Sequence, residues 1–319
     1  YRFYKLIRSF DLVLDIGAGD SFSDIYGFRR FFVQVFTKVF SATFAKYAAL
    51  SPQTIGPFKS NYAKVVAKYI IDKTGAVFTR DELSYSLGNE LGDCKLATDV
   101  ALSMPFEKSI KISEETGSPT FGLNVSGLLW AGGYTNENQF GLAHYYQEFI
   151  VELVKKVKKT FPDVAVHLVP HVVTTMRSNK QEDDYSACQA VQEIYPDCIL
   201  TERFSNPIDA KNYISKLDYF TGARMHATIA AFSSGVPVTP YAYSRKFDGL
   251  YGTFGYKKVL KAKELSLDDS VQMILDDFKN RNKLSSIVND CSKQIQALTD
   301  TYTAGLKEII NECCKKSNR

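Results

Sequence analysis

Asp11-Leu-Val-Leu-Asp-Ile16, running into Gly17-Ala-Gly19-Asp20, reads as a short buried strand that ends on a glycine turn. Beyond the turn, residues 28–47 carry Phe28, Phe31, Phe32, Val35, Phe36, Val39 and Phe40 at helical spacing, with Arg29, Arg30 and Lys38 elsewhere around the wheel. Residues 47–50 form the next strand pattern. A strand, a long helix and a second strand make the unit from which parallel sheets are built. The rhythm continues through a helix at 61–74, a strand at 76–79, a helix at 81–91 and a strand at 94–98.

It breaks at 105–119, where Glu107, Lys108, Lys111, Glu114, Glu115, Gly117 and Ser118 give the polar composition of an interdomain linker. A second α/β series follows. Its strand patterns lie at 121–125, 164–169, 198–200, 219–221 and 236–240. Its helices lie at 142–160, 181–195, 207–216 and 224–234. From residue 266 only helical pattern remains. The fold class is therefore α/β, with two doubly wound domains at 1–104 and 120–265 and C-terminal helices at 266–319.

Composition narrows the function. The 319 residues are 45% hydrophobic and 23% charged, ordinary for a globular chain. The net charge of +4 suits an anionic ligand or membrane surface, but is too small for a nucleic-acid footprint. No run of 18 apolar residues is present to span a bilayer. Residues 1–10 lack the three regions of a signal peptide. Six cysteines, with no CxxC spacing, read as reduced thiols of a cytosolic protein.

The familiar site motifs fail one by one. Gly17-Ala-Gly19 starts a dinucleotide fingerprint, but Phe22 stands where the third glycine belongs. No phosphate loop, zinc spacing or nucleophile elbow occurs, and no two aspartates flank a single residue. The expected metal requirement is none.

In open parallel sheets ligands bind past the carboxyl ends of the strands. The strongest candidate there is Thr221-Gly-Ala-Arg224-Met-His226-Ala-Thr, between a strand and a helix. Residues two apart oppose each other within a helix, yet both can face one ligand where an extended turn becomes a helix. Arg224 offers a bidentate grip on carboxylate or phosphate, and His226 a proton near neutral pH. The alternative is a capping arginine and a structural histidine. His171 in Val169-Pro170-His171, Arg80 in Thr79-Arg80-Asp81, Asn124 and Ser126 in Asn124-Val-Ser126-Gly127, and Lys246 in Tyr243-Ser-Arg245-Lys246 also stand at strand exits. His144 and His167, in helix and strand patterns, read as structural.

Together these segments resemble the polysaccharide pyruvyl transferase family. The matching pieces are 11–19, Gln53-Thr-Ile-Gly-Pro57, Thr79-Arg80-Asp81-Glu-Leu-Ser84, Thr98-Asp99, Gly122-Leu-Asn-Val-Ser-Gly127, Val169-Pro-His171, Ala223-Arg-Met-His-Ala227, Gly235-Val-Pro237 and Tyr243-Ser-Arg-Lys246. The resemblance implies two Rossmann-like domains facing a cleft, the GT-B arrangement. It implies phosphoenolpyruvate as co-substrate, with no resident cofactor, and a sugar or lipid-linked oligosaccharide as acceptor. On that basis His226 transfers protons and Arg224 grips the donor. Arg80, His171, Lys246, Asn124, Ser126, Gly17 and Gly19 are expected to bind substrate. Two departures stand out. The family's first βα unit is not recognisable ahead of residue 11, and its paired glycines appear as Gly17-Ala-Gly19. The architecture also allows a nucleotide-sugar glycosyltransferase or a non-catalytic glycan-binding cleft. The sequence names neither the acceptor sugar nor an oligomeric state.

A lipid-linked acceptor gives reason to look for a membrane-facing element. The phenylalanines and basic residues of 28–47 are the best candidate for an interfacial helix at the inner face of the membrane, although packing of the aromatic face on the sheet is the favoured reading.

Overall fold

A computed structural model describes residues 2–17, 22–25, 27–174 and 181–317. The chain divides into two compact units. Unit 1 comprises Tyr1–Val100, Gly252–Phe254 and Lys293–Arg319, and unit 2 comprises Ala101–Tyr251 and Gly255–Ser292.

Unit 1 holds α1 (Arg2–Ser9), β1 (Val13–Asp15), α2 (Phe28–Phe44), β2 (Ala48–Gln53), α3 (Asn61–Lys73), β3 (Ala76–Thr79), α4 (Glu82–Asn89) and β4 (Lys95–Leu96). The four strands are all parallel, as the alternating pattern requires, but they lie in chain order with no reversal, so the doubly wound order expected of both domains is seen in unit 2 alone. A core of Phe22, Phe31, Leu50, Phe58, Ile70 and Val77 joins α2 and α3 to the sheet. A second cluster unites Ala49, Phe78 and Ala97 with Ile309 and Cys313 from the C-terminal helix. There Gly305 leaves no room for a side chain against the Phe78 ring, and Tyr302 donates to Ser51 Oγ at 2.8 Å.

Helix α2 departs from expectation. It buries Phe31, Val35, Lys38 and Ser41, a single stripe at i, i+4, i+7, i+10. Phe28, Phe32 and Phe36 are exposed instead. With Phe40 and Phe44 they form an i, i+4 ladder, on which α1 sets Phe3 against Phe40 at 4.8 Å and Tyr4 against Phe44 at 5.4 Å. Lys38, expected away from the apolar face, is 2% exposed because Asp15 receives its ammonium and Gln53 Oε1 accepts from it at 2.7 Å. Burial lowers the Lys38 pKa and the Asp15 charge opposes the shift. Gly17 belongs to this cluster. Its φ is +56°, its N–H donates to Asp15 Oδ1 at 3.0 Å, and a Cβ there would meet Gln53 Oε1 at 2.7 Å. Gly17 thus shapes the turn beside a buried ion pair. Gly19 lies outside the described residues.

Unit 2 holds α5 (Ile112–Thr116), β5 (Thr120–Asn124), α6 (Gly127–Trp130), α7 (Tyr146–Thr160), β6 (Ala165–Leu168), α8 (Asp184–Ile194), β7 (Ile199–Leu200), α9 (Pro207–Ser215), β8 (Tyr219–Gly222), α10 (Met225–Ser233), β9 (Val238–Ala242), β10 (Leu260–Lys261) and α12 (Leu267–Lys279). Two further helices begin in it, α11 (Arg245–Thr253) and α13 (Arg281–Ser317). The polar stretch 105–119 is seated on α9. Lys111 donates to the carbonyls of Ser215 and Leu217, and the Glu107 N–H to Asn212 Oδ1. Helix α12 is pinned to the sheet by Phe278, whose ring lies 4.8 Å from Phe161, 5.2 Å from Phe121 and 5.6 Å from Tyr219. Truncating such a buried phenylalanine costs about 3–5 kcal/mol. Helix α7 starts at Tyr146, so His144 precedes it rather than lying within it. Its ring joins Leu265 O and Tyr241 Oη.

Candidate functional site

The six strands of unit 2 are parallel and lie in the order β10-β9-β8-β5-β6-β7. Counted from β5 this is the doubly wound order 3-2-1-4-5-6, and the order reverses between β5 and β8. Loops leaving such a pair turn to opposite faces and open a crevice at the carboxyl edge. The loop after β5 carries Asn124, Ser126 and Gly127; the loop after β8 carries Arg224 and His226. The structure brings these two segments together, since Arg224 N–H donates to Asn124 Oδ1 at 3.0 Å.

Arg224 is the N-cap residue of α10, with extended backbone, and its own side chain makes no capping hydrogen bond. The positive end of the helix dipole lies at this start. His226 is the second residue of α10 and is exposed. The two residues straddle the helix start, as the motif spacing requires. His171, just past β6, completes the group: the charges of His226 and Arg224 reach its ring. Burial is the larger cause and those charges add to it, so His171 is pushed down to about 4. It is a neutral imidazole at pH 7.

Asp184, in the first turn of α8, was not foreseen. It has no solvent exposure. Its carboxylate accepts from Arg224 Nε at 3.0 Å and Nη2 at 2.9 Å, from Gly127 N–H at 2.9 Å and from Val172 N–H at 2.9 Å. Asn124 Nδ2 and His171 N–H add bonds at 3.2 Å. One buried carboxylate thus ties the exits of β5, β6 and β8 together, at charge-assisted strength. Arg224 Nη2 also donates to Glu182 O at 2.8 Å. Burial works against the guanidinium charge, but Asp184, with Tyr243 and Glu182, outweighs it and raises the Arg224 pKa.

Gly127 is glycine for a steric reason. A Cβ there would lie 2.5 Å from the Asp183 carbonyl oxygen, which is backbone and cannot swing away.

The other expected residues fall elsewhere. Asn124 and Ser126 are fully buried. Asn124 spends its amide on Val169 O, Asp184 and the Arg224 N–H. Ser126 caps α6 through Leu129 N–H, and its own N–H donates to Tyr146 Oη at 3.1 Å. Both side chains bond neighbouring loops. Lys246 lies in the first turn of α11, past β9, and is half-buried. Arg80 belongs to unit 1. Its Nη1 donates to Asp99 Oδ2 at 3.2 Å and its Nε stands 3.8 Å from Asp81 Oδ2. Only 6% of Arg80 is exposed, and its Nε and Nη2 have no hydrogen-bond partner among the described residues. Asp81 caps α4 by accepting from Ser84 N–H. His167 is structural, donating to or accepting from Tyr213 Oη at 2.7 Å. Among the described residues no three His, Cys, Asp or Glu side chains are grouped to hold a metal ion.

The sequence of residues 1–245 matches the family described as polysaccharide pyruvyl transferase. No curated protein matches the chain. Among solved structures it is similar to the UDP-GlcNAc 2-epimerase of Neisseria meningitidis bound to UDP-GlcNAc, with TM-score 0.57 and 10% identity over 97% of this chain and 79% of that one. It is similar to Anabaena Alr3699/HepE in complex with UDP-glucose, with TM-score 0.55 and 10% identity over 96% and 81%. The S. aureus MnaA–UDP structure gives TM-score 0.56 and 14% identity over 91% and 73%. At these identities the likeness shows the fold alone, an α/β architecture of the GT-B class.

Proposed function

The chain belongs to the polysaccharide pyruvyl transferase family, and from that premise we propose that it moves pyruvate from phosphoenolpyruvate onto a sugar of a surface polysaccharide as a ketal. The observation that carries the reading is Arg224 and His226 straddling the start of α10, at the point where the strand order reverses. Phosphoenolpyruvate bears a carboxylate and a phosphate. A helix N-terminus beside a guanidinium suits such an anion.

The chemistry then runs through the histidines. His226, exposed at the helix start, delivers a proton to the methylene carbon as a sugar hydroxyl attacks the neighbouring carbon. The proton of that hydroxyl passes to a base, for which His171, at the neighbouring strand exit, is the candidate. Phosphate departs with the C–O electron pair, stabilised by the helix start and Arg224. A second hydroxyl closes the ring on the oxocarbenium carbon and gives its proton to the departing phosphate. Phosphoenolpyruvate and a diol thus become a cyclic ketal and inorganic phosphate.

The free cysteines support a reducing compartment, and among the described residues no helix is long and apolar enough to cross a membrane. The exposed phenylalanine ladder of α2, beside Arg29 and Arg30, supports peripheral contact with an anionic lipid surface. The activity is tested by measuring phosphate released from phosphoenolpyruvate in the presence of de-pyruvylated surface polysaccharide. Release that depends on polysaccharide and is lost in His226→Ala is expected; release indifferent to both contradicts the reading.

A further inference from the structure

A cavity of about 610 Å³ opens in unit 2 between α6 and the start of α7, walled by the loop that joins them. Its size is that of a ligand site, which runs roughly 300–1,000 Å³. Trp130, Phe140 and Tyr145 line it, and so do the carboxylates of Glu137 and Glu148. Among the described residues no lysine or arginine lines it, and the Glu148 charge bears on the neighbouring His144 ring.

The walls are fixed. Asn138 locks the loop by donating to Leu142 O and accepting from Leu142 N–H, both at 2.9 Å. Gln147 Nε2 donates to Trp130 O at 2.6 Å. Gln181 Nε2 donates to Asn136 Oδ1 at 3.0 Å, and Tyr134 Oη to Glu182, whose carbonyl holds Arg224. The cavity also adjoins the catalytic loops. Tyr146 in its wall accepts from Ser126 N–H, and the Phe140 ring packs edge-on against Tyr243 at 5.0 Å.

We propose that this cavity is the subsite for an uncharged pyranose ring of the acceptor glycan. A pyranose has an apolar C–H face and a rim of hydroxyl donors. Aromatic side chains match the face, and carboxylates accept from the rim. Two carboxylates, with no lysine or arginine in the lining among the described residues, repel the phosphates of a nucleotide sugar or of phosphoenolpyruvate. The anionic donor belongs at Arg224 and the neutral acceptor beside it. The acceptor role rests on the pyruvyl-transfer reading; the sugar-binding claim does not, and the two fail separately.

Trp130 is the single tryptophan of the chain, so its fluorescence reports on this cavity. Methyl glycosides of glucose, galactose, mannose and N-acetylglucosamine, with UDP-glucose in parallel, are titrated into the protein. Saturable quenching by at least one neutral glycoside is expected, weakened about tenfold in Tyr145→Ala and in Glu137→Gln. Tyr145 is 74% exposed, so its loss leaves the fold intact, and the thermal shift given by phosphoenolpyruvate is unchanged in that variant. No saturable quenching by any glycoside, quenching that survives both substitutions, or saturation by UDP-glucose alone overturns the proposal. Quenching by a glycoside without a phosphoenolpyruvate shift would leave the subsite standing and remove the donor reading.

Discussion

Arg224 gives Nε and Nη2 to the carboxylate of Asp184, 3.0 and 2.9 Å away, and Asp184 is wholly buried. The arginine that the motif offers as a donor grip is therefore first a strut, fixed across forty residues of sequence. Removing the carboxylate in Asp184→Ala strands a buried guanidinium and several backbone N–H groups. Destabilisation of about 3–5 kcal/mol is expected, measured by urea unfolding. Asp184→Asn keeps an acceptor and loses the charge, so it recovers part of that stability while phosphoenolpyruvate binding stays weak.

His226 is exposed and sits at a helix start, so its loss touches little packing. His226→Ala is expected to keep stability within about 0.5 kcal/mol. Turnover falls by about 10²-fold or more, the usual worth of a general acid, with donor affinity retained. Steady-state kinetics check this: kcat drops while KM for phosphoenolpyruvate holds.

Stability carries a histidine signature. Burial pushes His167 down to about 4 from 6.5, and its Nε2 is enclosed without a partner. The unfolded chain takes up a proton below pH 6.5 that the folded chain refuses until about pH 4. Stability is thus full above 6.5 and falls as the pH drops toward 4, by on the order of 3 kcal/mol for His167 alone. His171 shifts in the same direction and adds to the loss. Denaturant melts at pH 7 and pH 5 measure the difference, and His167→Gln reduces it.

The phenylalanine ladder of α2 is testable on vesicles. Phe32→Ser with Phe36→Ser and Arg30→Glu alters three exposed residues, leaving buried Phe31 in place. Co-sedimentation with phosphatidylglycerol vesicles is expected for the wild type and reduced in the variant. Equal binding by both, or none by either, removes the membrane contact.

The strands and the Arg224–His226 turn were legible because both are local. Alternating short apolar runs and long helical patterns specify parallel βα units, and two residues either side of a helix start declare themselves by spacing alone. What was not legible depends on distant partners. Asp184 looks like an ordinary acidic residue in a first helical turn, and only the meeting of three loops makes it an anchor. Lys38 reads as lying off the apolar face until Asp15 is seen beneath it. Asn124 and Ser126 were read as ligand contacts because they end a strand, yet they are buried and spent on neighbouring loops. The cavity around Trp130 is built by a polar loop with no periodicity to announce it.

Isothermal titration of phosphoenolpyruvate tests the central claim most directly, that the start of α10 binds this anion. Saturable binding is expected in the wild type and is lost in Arg224→Gln, with folding of the variant verified by near-ultraviolet circular dichroism. UDP-glucose gives no heat under the same conditions. Absence of phosphoenolpyruvate binding, binding unchanged by Arg224→Gln, or saturable binding of UDP-glucose in its place would contradict the account.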